Sequence, residues 1–359
     1  MMVIGYYLAV TVLTLLLSGI YLIKWNKHFD VYYSAIYMLI PFLNAGYYFI
    51  ATARDVGEAI TATKITYLGG CYLLLFIMMS IFSLCKLHIP RWLSFGFAAL
   101  STFVYCSALT IGHADIFYKE VSIETSNGIT TINKSYGPLH GLFYPLIMLY
   151  FAISIATIIW GLKKRKEAPA NSLILLLITE FVSVFVFFFG KNLGGNIQWI
   201  PAAYFFDGIC YLFIIDRLSL YDIGSAVGET LVEHGENGFV SFDLNLNFLG
   251  ANGTAKELLP RLSDMRVDRR LSDEKLSKIF TEWIDDFKRD ELSREILYDM
   301  GASVLKIQVR YLYDGSRKRG YQLTLTDDTA HQQYLKTISD YNQNLRREIE
   351  LKDKLLGAV

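Results

Sequence analysis

Residues Trp199–Phe242 run WIPAAYFFDGICYLFIIDRLSLYDIGSAVGETLVEHGENGFVSF, and this stretch divides the chain into two halves. Its first part, as far as Ile215, is apolar and long enough to enter a bilayer. Asp216 and Arg217 end the apolar run, and FVSF then begins a strand-like alternation. The chain before this junction has the composition of a membrane protein, and the chain after it that of a soluble domain. A signal between the halves has to pass through the junction.

The overall composition agrees with a large membrane-embedded half. Of the 359 residues, 53% are hydrophobic, which is more than a soluble globular chain usually carries. The formal net charge is zero, so no basic surface argues for a nucleic-acid partner. We predict neither a disulfide framework nor a metal site, because no C-x-x-C pair and no His at metal-ligand spacing accompanies the cysteines, which are Cys71, Cys85, Cys106 and Cys210.

Seven apolar stretches approach the ~20 residues that a transmembrane helix needs. We predict spans at about 2–23, 31–51, 65–85, 93–110, 142–162, 172–190 and 199–216, which together form a membrane domain over 1–217. The positive-inside rule predicts a multi-pass protein of the bacterial plasma membrane, with its N-terminus outside and its C-terminus in the cytoplasm. This orientation follows from the cations after spans one, three, five and seven, which are Lys24, Lys27, Lys86, Arg91, Lys163, Lys164, Arg165, Lys166 and Arg217.

Two acidic residues and one amide lie well away from the ends of the predicted spans, where polar groups are costly to bury. Glu180 and Asp207 each lie about eight residues into their spans, ~12 Å from the end. Since these two helices run antiparallel, both carboxyls fall near mid-depth, where they can meet. With Asn44 they form a candidate ligand-sensing set. The alternative is a protonated or hydrogen-bonded pair that only holds the bundle together.

The longest outer loop contains VSIETSNGITTINKS between spans four and five. Asn127-Gly128 separates two β-prone runs, and this dipeptide is a strong signal for a tight hairpin turn. We therefore predict a small extracellular hairpin. It is either a plain connector or a ligand-facing lid.

Beyond the last span, apolar residues recur at helical spacing, which predicts a linker helix over 218–234. We expect this helix to relay a signal out of the membrane. The predicted relay residues are Arg217, Leu220, Ile223, Val227 and Leu231.

Residues 235–329 predict an α+β domain. Two short strands come first, then helices, then three strands of one antiparallel sheet. One helix, within 272–290, carries an apolar stripe that we expect to pack on the sheet, formed by Leu276, Phe280, Trp283 and Phe287.

Residues 330–359 carry a heptad pattern that predicts a parallel coiled coil and therefore a homodimer. A lone solvated helix is the alternative. The predicted dimer seam consists of Leu335, Ile338, Asn342, Leu345 and Ile349.

Several short segments of the sequence resemble segments of known signalling proteins. YGPLHG before span five and FIIDRLSLYDIGSAVGETLVEHGENGFVSFD after span seven are similar to the N-terminal seven-helix sensor region of bacterial histidine kinases. The following module resembles a PAS domain, through the phrase Ala251–Leu259 and through Asp327-Asp328-Thr329 before the last helix. The resemblance implies a sensor of two-component signal transduction.

The sequence departs from a complete kinase. We recognise no phospho-accepting helix pair or ATP-binding domain, and His331 lacks the acidic residue that usually follows a phospho-accepting histidine. We therefore expect no enzymatic activity from this sequence. We also expect no cofactor, because no cysteine follows Cys210 to serve a flavin, and His234 and His331 are poorly placed for haem.

We weigh three functions against the sequence. A membrane receptor would bind an unknown small ligand and signal to a downstream protein or an output domain. A transporter or channel with a regulatory domain is the alternative, although the spans show no inverted repeat. A retinal protein is disfavoured, because no lysine lies between Trp199 and Asp216.

Overall fold

The computed structural model describes residues 2–25, 30–126, 128–164, 168–190, 197–225, 237–271, 273–290, 295–301, 303–314 and 317–356. The chain divides into two compact units, Met1–Leu218 and Ser219–Val359. Where it is described, the first unit consists of helices and one hairpin, and the second combines helices with a sheet.

The first unit is built from long helices, and the last of them, α7, extends a few residues beyond it. They are α1 (Met2–Lys24), α2 (Val31–Thr52), α3 (Val56–Leu84), α4 (Arg91–Leu109), α5 (Phe143–Lys164), α6 (Ala170–Phe189) and α7 (Ile200–Ser225). Six apolar stretches in the described part of the chain are long enough to cross a membrane: α1 to α4, Pro138–Lys164 and α6. Helix α7 is long enough to cross a membrane but is not among these six stretches. Asp207, Asp216 and Arg217 interrupt its apolar sequence.

The outer surface of the first unit suits lipid rather than water. Trp92, Phe95 and Phe213 have 74%, 75% and 67% of their side chains exposed. Large apolar surfaces of this kind are unfavourable in water and mark contact with a partner or a membrane. Together with the six apolar helices, they identify a multi-pass membrane region.

Helix α3 begins earlier than the predicted span at 65–85. Its start at Val56 follows a reciprocal cap, in which Asp55 Oδ1 accepts the Glu58 N–H at 2.8 Å. Glu58 Oε2 accepts the Arg54 N–H at 2.8 Å in return. Two otherwise unpaired backbone donors are thereby satisfied, so the helix extends beyond its apolar part.

The predicted hairpin between the fourth and fifth helices is confirmed. Strands β1 (Tyr118–Ser126) and β2 (Ile129–Tyr136) pair in antiparallel fashion, with Ser126 opposite Ile129. Gly128 has φ of 75°, a left-handed conformation that glycine adopts at little cost. Asn127 lies outside the described residues.

The second unit contains one five-stranded antiparallel sheet with strand order β4-β3-β7-β6-β5. Two strands precede the helices and three follow them, as the sequence predicts for an α+β region. The elements are β3 (Asn237–Asp243), β4 (Phe248–Ala251), α8 (Gly253–Leu258), α9 (Glu274–Asp290), β5 (Ile296–Asp299), β6 (Val304–Asp314), β7 (Arg317–Asp327) and α10 (Thr329–Leu356).

Helix α9 supplies much of the core of the second unit. The predicted stripe is confirmed, since Leu276, Phe280 and Trp283 are buried and Phe287 packs against the same core. The Phe280 ring lies 5.3 Å from that of Phe242 on β3, measured between centroids. The helix therefore packs on the sheet through the face that its spacing indicates.

Helices α2 and α3 approach closely at two glycines. A Cβ atom on Gly46 would lie 2.6 Å from Thr66 Cγ2 and 3.2 Å from the Ala62 carbonyl oxygen. A Cβ atom on Gly69 would lie 2.6 Å from Leu43 Cβ. Small residues at such crossings allow helix backbones to pack closely in membranes.

We therefore expect Gly46→Ala to destabilise the first unit by about 1–3 kcal/mol, because the new methyl group overlaps α3. Gly96→Ala on α4 is the matched control, since nothing lies within 4 Å of the added atom. Unfolding of each variant in detergent micelles, followed by circular dichroism, measures the difference. Equal stability of the two variants would show that this close approach is unimportant.

Candidate functional site

Helices α6 and α7 place Glu180 and Asp207 on one small cavity inside the first unit. Each side chain is only 3% exposed. The cavity has a volume of about 10 Å³. Its lining consists of Leu74, Ile77, Phe151, Thr179, Glu180, Ser183, Asp207 and Tyr211. The structure thus brings together the two carboxyls that the sequence places at mid-depth, and their sensing role stays a prediction.

The two carboxyls differ in their hydrogen bonds. The Ser183 hydroxyl donates to Asp207 Oδ2 at 2.7 Å. Among the described residues, Asp207 Oδ1 and both oxygens of Glu180 have no hydrogen-bond partner. Buried polar atoms are nearly always paired, so three unpaired acceptors in one place mark an unusual site.

Asn44 occupies a different position from the one expected of a member of this set. Its Nδ2 lies 3.5 Å from both Thr14 Oγ1 and the Pro201 carbonyl oxygen, so it joins α2 to α1 and to the start of α7. Asn44 does not line the cavity of Glu180 and Asp207. The grouping of all three residues around one cavity is therefore not supported by the geometry.

Other polar contacts hold α7 along its length. The Tyr37 hydroxyl on α2 donates to the Gly208 carbonyl oxygen at 2.7 Å. The Tyr211 and Ser80 hydroxyls lie 3.2 Å apart, which ties α7 to α3. Sequence reasoning missed these tyrosines. The signal in the sequence was a tyrosine inside an apolar span, because a buried tyrosine hydroxyl needs a hydrogen-bond partner.

One ion pair joins α7 to α1 near the end of the apolar segment. Lys24 Nζ lies 2.6 Å from Asp216 Oδ1. The two side chains are 43% and 36% exposed, so the pair contributes little stability on its own. It does show that the end of α1 and the end of the apolar part of α7 lie side by side.

A second polar cluster fixes the hairpin to the helices. Tyr118 on β1, Tyr67 on α3 and His140 are buried and linked, with 2.6 Å between the Tyr118 and Tyr67 hydroxyls and 3.2 Å from Tyr67 to His140 Nε2. Lys134 Nζ on β2 donates to the Tyr118 hydroxyl at 2.8 Å. Burial raises the pKa of Tyr118 above its usual range, so this phenol remains a neutral hydrogen-bonding group.

Comparison with known families identifies the helical part. Residues 7–224 match the family described as the N-terminal 7TM region of histidine kinase. This match covers more than half of the chain. The chain belongs to this family. Comparison with curated proteins gave no match.

One solved structure is described as the sensor region of a sensor histidine kinase. It matches over 64% of this chain and 70% of that chain, with 11% sequence identity and a TM-score of 0.21. Such a low score supports no conclusion about this chain, so the family match alone carries the assignment.

The 7TM region of a histidine kinase is a sensor, and not a catalytic domain. The chain therefore contains an input module of two-component signalling. The matched residues include the cavity of Glu180 and Asp207. They also include the polar cluster of Tyr67, Tyr118 and His140.

The predicted relay residues lie at the end of the matched region, residues 7–224, and just beyond it. Arg217 is partly buried on α7. Leu220 and Ile223 fall within the bounds of α7, but their side chains are outside the described part of the structure. Val227 and Leu231 lie outside the described residues. Their relay role stays a prediction.

Proposed function

We propose that this chain senses a stimulus within its membrane bundle and relays it through α7 to the second unit. The observation that carries the proposal is the course of α7. This helix presents Asp207 to the buried cavity and continues past Arg217 to Ser225. A change of packing at the cavity can therefore be transmitted along one helix. Energetically, the stimulus needs only to favour one packing of the bundle over another.

We propose further that α7 is the seventh membrane span. The family match extends to residue 224, and the family is defined by seven transmembrane segments. The charged residues that lower the hydropathy of α7 lie at positions that a membrane helix tolerates. Asp207 is buried inside the bundle, and Asp216 pairs with Lys24 near the end of the apolar run. Such placements are those expected of ionisable residues in membrane helices.

The proposed orientation places the N-terminus outside and the C-terminus in the cytoplasm. The contact between Lys24 and Asp216 supports an odd number of spans, since it puts the end of the first helix beside the end of the seventh. Helix α5 also ends in Lys163 and Lys164. The cations therefore collect at the ends of α1 and α5 and, as Arg217, after the apolar run of α7. The positive-inside rule assigns this side to the cytoplasm.

The second unit is proposed to be a PAS-like module that binds no cofactor. Two hydrogen-bonded turns support this assignment. In the phrase Ala251–Leu259, Asn252 Oδ1 accepts the N–H groups of Ala255 and Phe239 at 3.0 and 2.8 Å. In the closing phrase, hydrogen bonds from the hydroxyl and N–H of Thr329 lower the pKa of Asp327. The polar residues of both phrases thus form the turns that connect sheet and helices.

Helix α10 is proposed to form a parallel coiled coil with a second copy of the chain. Its seam is exposed in the single chain: Leu335, Ile338, Leu345 and Ile349 are 45%, 40%, 37% and 52% exposed. A repeat of apolar residues on one helical face is stable when a partner helix covers it. Asn342 is also exposed and would set the register of such a dimer. The coiled coil would present the signal to an output domain or a downstream protein.

Thiol labelling tests the orientation. In a cysteine-free chain in intact cells, Lys24→Cys should resist a membrane-impermeant maleimide, because it lies on the cytoplasmic side. Lys119→Cys in the hairpin, whose native side chain is exposed, is the control and should be labelled. Permeabilised cells should show labelling at both positions. The reverse pattern in intact cells would place the C-terminus outside.

Insertions in α7 test the relay. One residue inserted between Leu218 and Gly224 rotates the downstream chain by ~100° about the helix axis. About seven inserted residues make about two turns and nearly restore the phase. The readout is disulfide formation between Leu345→Cys side chains of two copies, with and without Asp207→Asn at the cavity.

We expect Asp207→Asn to change the rate of cross-linking in the original chain. The single insertion should abolish that response, and the seven-residue insertion should keep it. A response that survives both insertions would contradict a relay through a rigid α7. Absence of cross-linking in all of these chains would contradict the proposed dimer.

A further inference from the structure

We infer that the ligand of the buried cavity is a proton, held by Glu180 beside the carboxylate of Asp207. This inference rests on the proposed function and deepens it, because it names the chemical class of the stimulus.

The size of the cavity excludes an organic ligand. Its volume of about 10 Å³ compares with the roughly 10–15 Å³ that a single water molecule needs. Pockets for drug-sized molecules occupy about 300–1,000 Å³. A species that enters without rebuilding the bundle must therefore be as small as a water molecule or a proton.

The lining supplies no positive charge to balance two carboxylates. Apart from Glu180 and Asp207, it consists of apolar or hydroxyl-bearing residues. Two ionised carboxylates in such surroundings are unfavourable, since each charge has lost its water and repels the other. Buried acid pairs of this kind resolve the conflict by sharing one proton.

The hydrogen bonds indicate which residue carries the proton. Asp207 Oδ2 accepts the Ser183 hydroxyl at 2.7 Å, and such a bond stabilises the ionised form of Asp207. Glu180 has no donor within hydrogen-bond distance among the described residues, although the Ser154 hydroxyl on α5 interacts with it. A proton on Glu180 would turn one of its unpaired oxygens into a donor. The unpaired Oδ1 of Asp207 is the neighbouring acceptor that could receive it.

Besides the Cys210 thiol on α7, which interacts with Asp207, the remaining titratable groups around Glu180 are phenols. Tyr204 and Tyr211 on α7 interact electrostatically with Glu180. Tyr33 on α2 interacts in turn with Tyr211. Helix α3 contributes Leu74 and Ile77, while α5 contributes Phe151 and Ser154. No cationic group faces Glu180 in the described part of these helices, so the proton has no competing counter-ion there.

Loss of the proton to water gives the site its mechanical effect. It leaves one negative charge on α6 and one on α7, without a cation to balance them. Moving α7 away from α6, or admitting water between them, relieves the repulsion. Alkaline conditions should therefore favour a separated arrangement of α6 and α7, and acidic conditions the compact one.

Infrared spectroscopy of the whole chain in lipid nanodiscs tests the proton directly, since a carboxylic acid has a carbonyl stretch that a carboxylate lacks. The wild type should show a buried acid band that fades as the pH rises. Glu180→Gln should remove this band, and Asp207→Asn should keep it. Glu120→Gln, an exposed residue on β1, is the matched control and should leave the band unchanged.

Three results would overturn the proton assignment. The first is a wild-type spectrum without an acid band at any pH at which the protein is folded, a result that needs no variant. The second is a band that survives Glu180→Gln. The third is stabilisation of the protein by Na⁺ at constant pH without an acid band, which would assign the cavity to a cation.

A distance measurement separates this inference from the proposed function. Spin labels at Phe181→Cys and Phe213→Cys, both exposed positions, report the separation of α6 and α7 in a chain whose native cysteines are replaced. A pH-dependent band with a constant distance would support the proton and contradict the relay. A distance that changes with Asp207→Asn in the absence of any acid band would support the relay and contradict the proton.

Discussion

The structure depends on the cost of placing ionisable groups inside a membrane bundle. Glu180 and Asp207 are almost completely buried in a unit whose helices expose large apolar side chains. An isolated charge in such a place costs several kcal/mol, so the groups must be neutralised or hydrogen-bonded. The Ser183 hydroxyl satisfies part of this requirement. The part that remains unsatisfied is the basis of the sensing role that we propose for the cavity and of the relay that we propose for α7.

Helix α7 is held by polar contacts to several neighbouring helices as well as by apolar packing. Apolar packing alone would fix its position poorly, because lipid chains offer similar contacts. Directional contacts from Tyr37, Ser183 and Lys24 instead attach it to α2, α6 and α1. A helix held by a few polar contacts can exchange one set for another. This property suits the relay role that we propose for α7.

Local patterns in the sequence predicted much of the fold. Apolar length indicated the membrane helices, Gly128 indicated the hairpin, and the spacing from Leu276 to Trp283 indicated the buried face of α9. The rest depends on contacts between distant residues. Asn44 lies away from the carboxyl pair because the rotation of α2 decides which way it faces, and spacing along one helix does not specify rotation relative to another. The early start of α3 was missed because its cap at Asp55 lies outside the apolar run.

Hydrogen–deuterium exchange along α7 tests the central claim most directly. Exchange rates of its amides would be compared between the wild type and Asp207→Asn, both as the whole chain in nanodiscs. If α7 transmits the state of the cavity, slow exchange should extend through Ser225, and the substitution should change the rates on both sides of Arg217. A change confined to the residues before Arg217, or fast exchange immediately after it, would contradict the account.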